Sequence, residues 1–349
     1  MDRRNFLIRV GTAGLASSIA TLGYGSEQGA AENVAGPLIA DPHAHPFQFF
    51  GSRSTDRTTP TLELLQDANV ALCAFAAVGD MTYQRGRIGM PFSDTVRQLE
   101  QVRHLEEKGQ LGLVRKATDV LTLSAHKACH GLMAIEGADA LEGQLKNLDS
   151  FYAYGVRQIT LLHERNNELG FNQRSREDGP LTRFGIETVE RMNSLGMVVD
   201  VAHASTETLK SIAATTTQPL VDSHTSPFLP GEEGTGSRRL RTWQEMEWVA
   251  KTGGVVCTWP FAYVGKSSER TTLRHWAEEI SMMKSRLGIE HCGLGTDGGG
   301  GLPRVVDGWK SIASLPRLMD AMRGVGLSQS DVAAIVGGNF LRVLSKCLV

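Results

Sequence analysis

Four histidines and one glutamate lie at the ends of short apolar runs in this sequence. They are His43, His45, Glu136, His203 and His224. Each run is typical of a β-strand, in which residues two positions apart point to the same side, as His43 and His45 would. Neutral imidazoles and a carboxylate that converge from several strands are suitable ligands for a divalent transition metal, with zinc as the first candidate. The sequence therefore predicts a metal site.

Each of these residues also has a simpler interpretation. A His-x-His pair occurs on surfaces by accident, and a lone histidine at a strand end is more often a hydrogen-bonded core residue. Glu136 ends the apolar run Leu132–Ile135, where a buried carboxylate needs either a cation or a partner such as arginine. Because His203 and His224 end successive strands downstream of Glu136, we favour the metal site over an ion pair.

The elements that would position these residues alternate between strand and helix patterns from residue 37 onward. The predicted strands are 38–43, 69–77, 131–135, 156–162, 197–202, 220–223, 254–258 and 292–296. The predicted helices are 92–107, 139–150, 183–195, 206–214, 243–252, 269–287 and 308–324. Eight strands with intervening helices predict a (β/α)8 TIM barrel with C-terminal helices, formed by residues 37–349 as a single domain. An open doubly wound sheet is the second choice.

The polar residues are placed as this fold requires. Residues at or just past the carboxyl end of a predicted strand are His45, Glu136, His163, His203, His224 and Asp297. Barrel enzymes assemble their sites on that face from several strand ends. Glycines flank Asp297 and allow substrate or backbone to approach closely, so we interpret it as a proton-transfer residue and not only as a turn residue.

The bulk composition excludes several classes of protein. A formal net charge of -2 gives no electrostatic reason to expect nucleic acid or an anionic membrane as a partner. The five cysteines form no Cys-x-x-Cys pair, which argues against a disulfide framework and a cysteine metal cage. The hydrophobic share of 41% leaves room for a substantial core.

The N-terminal segment differs from the rest of the chain. Arg3 and Arg4 precede a weakly apolar stretch from Gly11 to Tyr24, which is too short to span a bilayer. This order is typical of a twin-arginine export signal, and we predict one over residues 1–31 that is removed in the mature protein. The alternative is a frayed amphipathic arm. The prediction makes the export machinery a partner and the protein periplasmic or otherwise exported.

From Asp41 to the C-terminus the sequence resembles the membrane (renal) dipeptidase family of zinc peptidases, within the amidohydrolase superfamily. The segments that carry the resemblance are Ile135–Gly137, Gly155–His163, Leu181–Gly185, Met192–His203, Ser223–Ser226, Gly295–Asp297 and Gly337–Val343. Their order and combination are highly specific.

The resemblance implies a (β/α)8 barrel with two zinc ions, or another divalent metal, bridged by Glu136. One ion would bind the His43 and His45 pair with Glu136, and the other would bind Glu136 with His203 and His224. The remaining implied roles concern the substrate, with His163 on the scissile carbonyl oxygen, Arg238 on the carboxylate, and Asp297 near the amine and the bridging water.

The sequence departs from the family pattern at several points. His45 stands where the family normally has aspartate, and Asp297 is followed by four glycines in place of the usual Asp-x-Asp-Gly. The segment 164–167 differs after His163, and Arg238 and Arg239 replace the usual Arg-Asn pair. These changes bear on the choice of substrate more than on hydrolysis.

The leading functional hypothesis is metal-assisted hydrolysis of a dipeptide or a related small amide. A second is hydrolysis of another amide, ester or lactone with the same metals. A third, from a different class, is a metal-binding protein without turnover. Retention of His163 and Asp297 argues against the third, because binding alone requires neither. A homodimer is left open.

Overall fold

The strands of the central sheet follow one another in chain order, and every pair of neighbours is parallel. The computed structural model describes residues 36–46, 60–81, 89–124, 128–228, 239–265 and 268–349. Its barrel strands are β1 Ile39–Ala44, β2 Val70–Val78, β3 His130–Glu136, β4 Val156–Thr160, β5 Val198–Asp200, β6 Val221–Thr225, β7 Val255–Thr258 and β8 Cys292–Leu294. The predicted (β/α)8 barrel is confirmed.

Helices lie between most of these strands and after the last one. They are α1 Leu62–Asp67, α2 Pro91–Glu107, α3 Ala117–Val120, α4 Leu145–Tyr154, α5 Arg183–Leu195, α6 Thr206–Thr215, α7 Trp243–Lys251, α8 Leu273–Leu287, α9 Leu315–Gly324, α10 Gln329–Ala333 and α11 Asn339–Cys347. Hydroxyl side chains cap several of their N-termini. Thr182, Ser205, Thr242 and Thr272 each accept a hydrogen bond from a backbone N–H of the first turn of α5, α6, α7 and α8.

Three predicted helices begin later than their sequence pattern suggested. The range 139–150 divides into a 3₁₀ turn Ala138–Leu141 and α4, because Glu142 and Gly143 adopt positive φ angles of 51° and 66°. The range 269–287 begins with a short strand, Glu269–Arg270, which pairs with Tyr263–Val264. The range 308–324 contains the 3₁₀ turn Ile312–Ser314 before α9.

The last strand meets the first through a seam of individual hydrogen bonds. His45 N donates to Gly298 O at 2.7 Å, and Asp297 N donates to His43 O at 3.0 Å. The buried Asp41 carboxylate accepts from Thr296 N at 3.0 Å and from Thr296 Oγ1 at 2.5 Å. The barrel thus closes directly beneath the predicted metal site.

The amino-terminal part of the barrel interior is apolar and is covered by the C-terminal helix. Alternate residues of β2, including Leu72 and Ala74, point into the interior with Val198 and Val255 at the starts of their strands. Phe340 and other residues of α11 pack in the same cluster. The opposite, carboxyl end is left for polar chemistry.

The chain from Gly36 to Val349 forms one compact unit by its internal contacts. Among the described residues, no helix has both the length and the apolar content that a membrane span requires. The predicted export signal at residues 1–31 lies outside the described residues.

Candidate metal centre and active site

The carboxylate of Glu136 lies at the centre of a cluster of imidazoles. Its Oε1 is 3.4 Å from His43 Nε2, 3.0 Å from His203 Nε2 and 3.5 Å from His224 Nε2. Its Oε2 is 3.2 Å from the Nε2 atoms of both His45 and His163. In the described part of the chain no arginine pairs with Glu136, so the alternative of a Glu–Arg ion pair is not observed.

These residues come together because the carboxyl ends of parallel strands meet at one end of the barrel. Glu136 is the last residue of β3, and His43 and His224 are the next-to-last residues of β1 and β6. The loops that follow the strands carry His45, His163, His203 and Asp297. The structure thus brings together seven of the eight predicted site residues. Arg238, the eighth, lies outside the described residues.

Two imidazoles are oriented by groups that can only accept a hydrogen bond. His45 Nδ1 lies 2.9 Å from Ala76 O, and His163 Nδ1 lies 2.7 Å from Asp80 Oδ1. The proton of each neutral ring is therefore on Nδ1, and the lone pair of Nε2 faces the Glu136 carboxylate. Lone pairs that face a carboxylate at 3.2 Å need a cation or a proton between them.

A hydroxyl orients His224 in the same sense. Ser223 Oγ donates to Asp200 Oδ2 at 2.6 Å and can then accept from His224 Nδ1, which lies 2.8 Å away. Thr160 Oγ1 also donates to Asp200 Oδ2, at 2.5 Å. This carboxylate–hydroxyl–imidazole chain is typical of the outer contacts that orient histidine ligands around metals.

His203 is held by its backbone and not through its ring Nδ1. Its φ angle is +66°, a left-handed conformation that is unusual for a residue with a side chain. The buried guanidinium of Arg241 donates to Val201 O at 2.7 Å and to Ala204 O at 2.6 Å, and so secures both sides of the turn. His203 Nδ1 has no hydrogen-bond partner among the described residues.

Burial and neighbouring charges together decide the pKa of each group, and the result differs from one group to the next. Burial raises the pKa of Glu136, but the neighbouring imidazoles of His163, His43 and His203 outweigh it and lower that pKa well below the usual range. Burial lowers the pKa of His203 and His224 well below the usual value, which keeps both rings neutral and able to ligate. For His45, bonds to Asp297 and Glu136 outweigh burial and raise the pKa to about 10.

The donor set suits divalent cations. Three groups have ligand atoms within 4.8 Å of one another: His43 with Glu136 and His224, His43 with His45 and Asp297, and Glu136 with His163 and His203. Imidazole nitrogens with carboxylate oxygens are the ligands that zinc and similar transition metals take. Because the groups share His43 and Glu136, they form one continuous candidate centre.

Asp297 lies at the edge of this centre. Its Oδ1 is 3.5 Å from His45 Nε2, and its φ angle is +46°. A Cβ at Gly300 would lie 2.0 Å from Asp297 Oδ1, so glycine is the residue that permits this close approach. Together with its neighbours, Gly300 lines the cleft beside the carboxylate.

The cleft above the centre has a volume of about 200 Å³ and is lined by both acidic and basic side chains. Its walls include Met81, Glu136, His163, Glu164 and Arg239. Arg239 Nη2 lies 2.9 Å from His203 Nε2, and the guanidinium lies 5.0 Å from the ring centre of the buried Trp259. The cleft can therefore hold a small ligand between the candidate metal centre and a fixed cation.

Sequence reasoning missed Asp80, Arg239 and Glu164. Asp80 follows β2 and so obeys the same strand-end rule that identified the other residues, which was a usable signal. Arg239 and Glu164 are in loops, where the direction of a side chain depends on the loop path and not on strand alternation.

The fold and the cluster together define a parallel-barrel protein with a candidate metal site at the carboxyl ends of its strands. The chain belongs to the membrane dipeptidase family, peptidase family M19, whose model matches residues 50–347. This agrees with the resemblance that the sequence motifs carry.

Similar proteins are found among both sequences and structures. Dipeptidase tcpJ of Claviceps purpurea (strain 20.1) is 27% identical over 261 residues, which cover 72% of this chain and 60% of the relative. Dipeptidase verJ of Clonostachys rogersoniana is 28% identical over 256 residues, which cover 72% and 64%. The match therefore spans less than two thirds of each of these curated relatives.

A solved metallo peptidase from Rhodobacter sphaeroides, liganded with a phosphinate mimic of the dipeptide L-Ala-D-Ala, superposes with a TM-score of 0.75. The alignment covers 89% of this chain and 99% of that chain at 19% identity, a likeness that shows the fold.

Proposed function

We propose that this protein is a binuclear zinc hydrolase that cleaves dipeptides or a closely related small amide. The observation that carries the proposal is the Glu136 carboxylate, which has five imidazole Nε2 atoms within 3.5 Å and opens onto a cleft with a guanidinium. Membership of the membrane dipeptidase family supports the choice of substrate class.

Two cations would share Glu136 between them. His43 and His45 would complete the holding of one, and His203 and His224 would complete the holding of the other. Bound there, divalent cations act as Lewis acids that polarise a carbonyl and activate water at neutral pH. Side chains of the protein would bind the substrate and transfer the proton.

His163 is placed to donate a hydrogen bond to the scissile carbonyl oxygen. Its Nδ1 proton is bonded to Asp80, so donation from Nε2 requires the protonated ring. In the metal-free protein, burial lowers the pKa of His163, but Glu136 and Asp80 outweigh burial and raise it. Charge that develops on the oxygen in the transition state strengthens such a bond, which is how a positioned donor accelerates the reaction.

Asp297 is the proton carrier. It lies in the cleft, with Oδ1 aimed at the centre and the glycine loop beside it. A carboxylate in this position takes a proton from the attacking water and delivers it to the leaving amine. The same residue thus serves both halves of the reaction.

Arg239 is the group that holds the substrate carboxylate. Its guanidinium lies in the cleft, 5.0 Å from the ring centre of Trp259. Guanidinium presents parallel N–H donors that match a carboxylate, which lysine does not reproduce. The resemblance assigns this role to the adjacent Arg238, which lies outside the described residues, so a comparison of Arg238→Lys with Arg239→Lys separates the two.

The test is metal analysis of the purified protein combined with a substrate panel. The panel contains dipeptides with L- or D-residues at the carboxyl side, their carboxamides, and small esters and lactones. We expect about two metal ions per chain and a preference for dipeptides with a free carboxylate. Preference for lactones or esters would favour the second hypothesis, and stoichiometric metal without hydrolysis across the panel would favour a binding protein.

Export through the twin-arginine route remains part of the proposal, and a homodimer is still open. The first rests on the order Arg3, Arg4 and apolar stretch in the sequence. Size measurement of the purified protein in solution tests the second.

A further inference from the structure

Glu164, directly after His163, lies between two arginines at the mouth of the cleft. Its Oε1 is 3.4 Å from Arg239 Nη1, and its Oε2 accepts a close hydrogen bond from Arg174 Nη1. The side chains of Arg239, Glu164 and Arg174 are 19%, 32% and 55% exposed, so the three charges lead from the cleft toward solvent.

The two contacts of Glu164 are unequal. The distance to Arg239 is longer than a good charged hydrogen bond, for which 2.7–2.9 Å is usual, whereas the contact with Arg174 is short. Arg239 has other support, because its guanidinium lies 5.0 Å from the ring centre of the buried Trp259. If the contact between Glu164 and Arg239 were lost, Glu164 would keep Arg174 as a partner and Arg239 would keep Trp259.

We propose, on the premise of the proposed function, that Glu164 is a resident counter-ion and a specificity-determining residue for the carboxylate end of the substrate. In the substrate-free protein it occupies the Nη1 edge of Arg239. When a substrate carboxylate arrives, Glu164 releases Arg239 and remains on Arg174. The exchange replaces one carboxylate on Arg239 with another, so Glu164 lowers the preference of the site for a carboxylate over a neutral group.

This arrangement predicts how ligand charge and Glu164 interact. A carboxylate ligand meets both competition and repulsion from Glu164, whereas a carboxamide ligand meets at most the competition. Arg174 matters only because it offers Glu164 an alternative partner. Removal of Arg174 would leave Glu164 committed to Arg239 and would weaken carboxylate binding.

The test measures binding to the metal-loaded protein by calorimetry. The probes are the phosphinate analogue of alanyl-alanine and the same compound with its carboxylate converted to a carboxamide. The quantity is the ratio of the carboxamide Kd to the carboxylate Kd. We expect Glu164→Gln to raise this ratio about three- to fivefold, the size of a partly exposed ion pair, and the matched exposed control Glu177→Gln to leave it unchanged. A ratio that stays constant or falls in Glu164→Gln overturns the exchange.

A double-mutant cycle isolates the role of Arg174. We expect Arg174→Gln to weaken carboxylate binding about threefold in the wild-type background, within the range of such pairs, and to have no effect when Glu164 is already Gln. Equal weakening in both backgrounds would show a direct effect of the Arg174 charge and would overturn the exchange.

The outcomes also distinguish this proposal from the one it rests on. If the wild-type protein binds both probes and Glu164→Gln does not raise the ratio of the two Kd values, the exchange alone is overturned. Wild-type protein that binds neither probe and hydrolyses no dipeptide overturns the proposed function, and the exchange with it.

Discussion

His45 carries the main chemical difference between this site and the family pattern that the sequence resembles. An imidazole replaces a carboxylate, so the centre has one negative charge fewer. Burial lowers the pKa of His45, but Asp297 and Glu136 outweigh burial and raise it from 6.5 to about 10. In the metal-free protein this proton contributes stability that is complete below pH 6.5 and is lost as the pH rises through about 10.

We therefore expect zinc binding to displace a proton from His45 at neutral pH. The proton released should number about one more than in His45→Asp, in which no imidazole is present at that position. Calorimetry in two buffers of different ionisation enthalpy measures this release. Equal release from the two proteins would show that His45 is not protonated in the metal-free state.

Asp297 can be tested apart from metal binding. We expect Asp297→Asn to keep its metal content and to lose turnover by about 10²–10⁴-fold, because an amide cannot accept the proton. Steady-state kinetics with a dipeptide and metal analysis of the same sample provide the measurement. Near-normal activity would refute the proton role, and loss of metal would reassign Asp297 as a ligand.

Single side chains were predictable from sequence where strand geometry decides their direction. His43, Glu136 and His224 belong to strands, and alternation fixes which way they point. Arg239 was not predictable, because its position depends on packing over Trp259, a residue 20 positions further along. Adjacent arginines in a loop carry no sequence signal that separates them.

The seam between β8 and β1 depends on the buried carboxylate of Asp41. Burial raises its pKa to about 6, although bonds from Thr296 and His43 lower it. The folded chain therefore holds a proton on Asp41 between about pH 4 and 6 that the unfolded chain does not, and stability from this group falls as the pH rises through about 6.

We expect Thr296→Val to destabilise the metal-free protein by about 1–3 kcal/mol above pH 6, because the ionised carboxylate loses a charged hydrogen bond. The loss should be smaller at about pH 5, where Asp41 is protonated. Urea unfolding at the two pH values measures the difference. Thr188→Val is the matched control, since the Thr188 hydroxyl donates to a backbone carbonyl of α5. An equal loss at both pH values would show that Thr296 acts independently of Asp41 ionisation.

Strands were easier to predict than helix starts. The buried strands are near-continuous apolar runs, of which β2 is wholly buried, and such runs are easily recognised. Helices α4 and α8 begin later than predicted. Glu142 adopts a positive φ before α4, and Glu269–Arg270 pairs as a strand before α8. Both outcomes follow from contacts that a local pattern does not contain.

The predicted twin-arginine signal is tested on the chain as a whole. All five cysteines are buried and free, so no disulfide holds the described fold together. We expect Arg3→Lys with Arg4→Lys to retain the protein in the cytoplasm, because the predicted signal depends on the twin arginine. Cell fractionation with immunoblotting measures the distribution, and Arg9→Lys is the control. Normal export of the double variant would favour the frayed-arm interpretation.

The seam joins positions 255 residues apart, Asp41 and Thr296, and the imidazoles of β1 depend on it. A nascent chain released before residue 296 lacks Asp297 and the support under His43 and His45. The His43 and His45 half of the candidate centre is therefore not held in place until the last strand has been made and its following loop has bonded to β1.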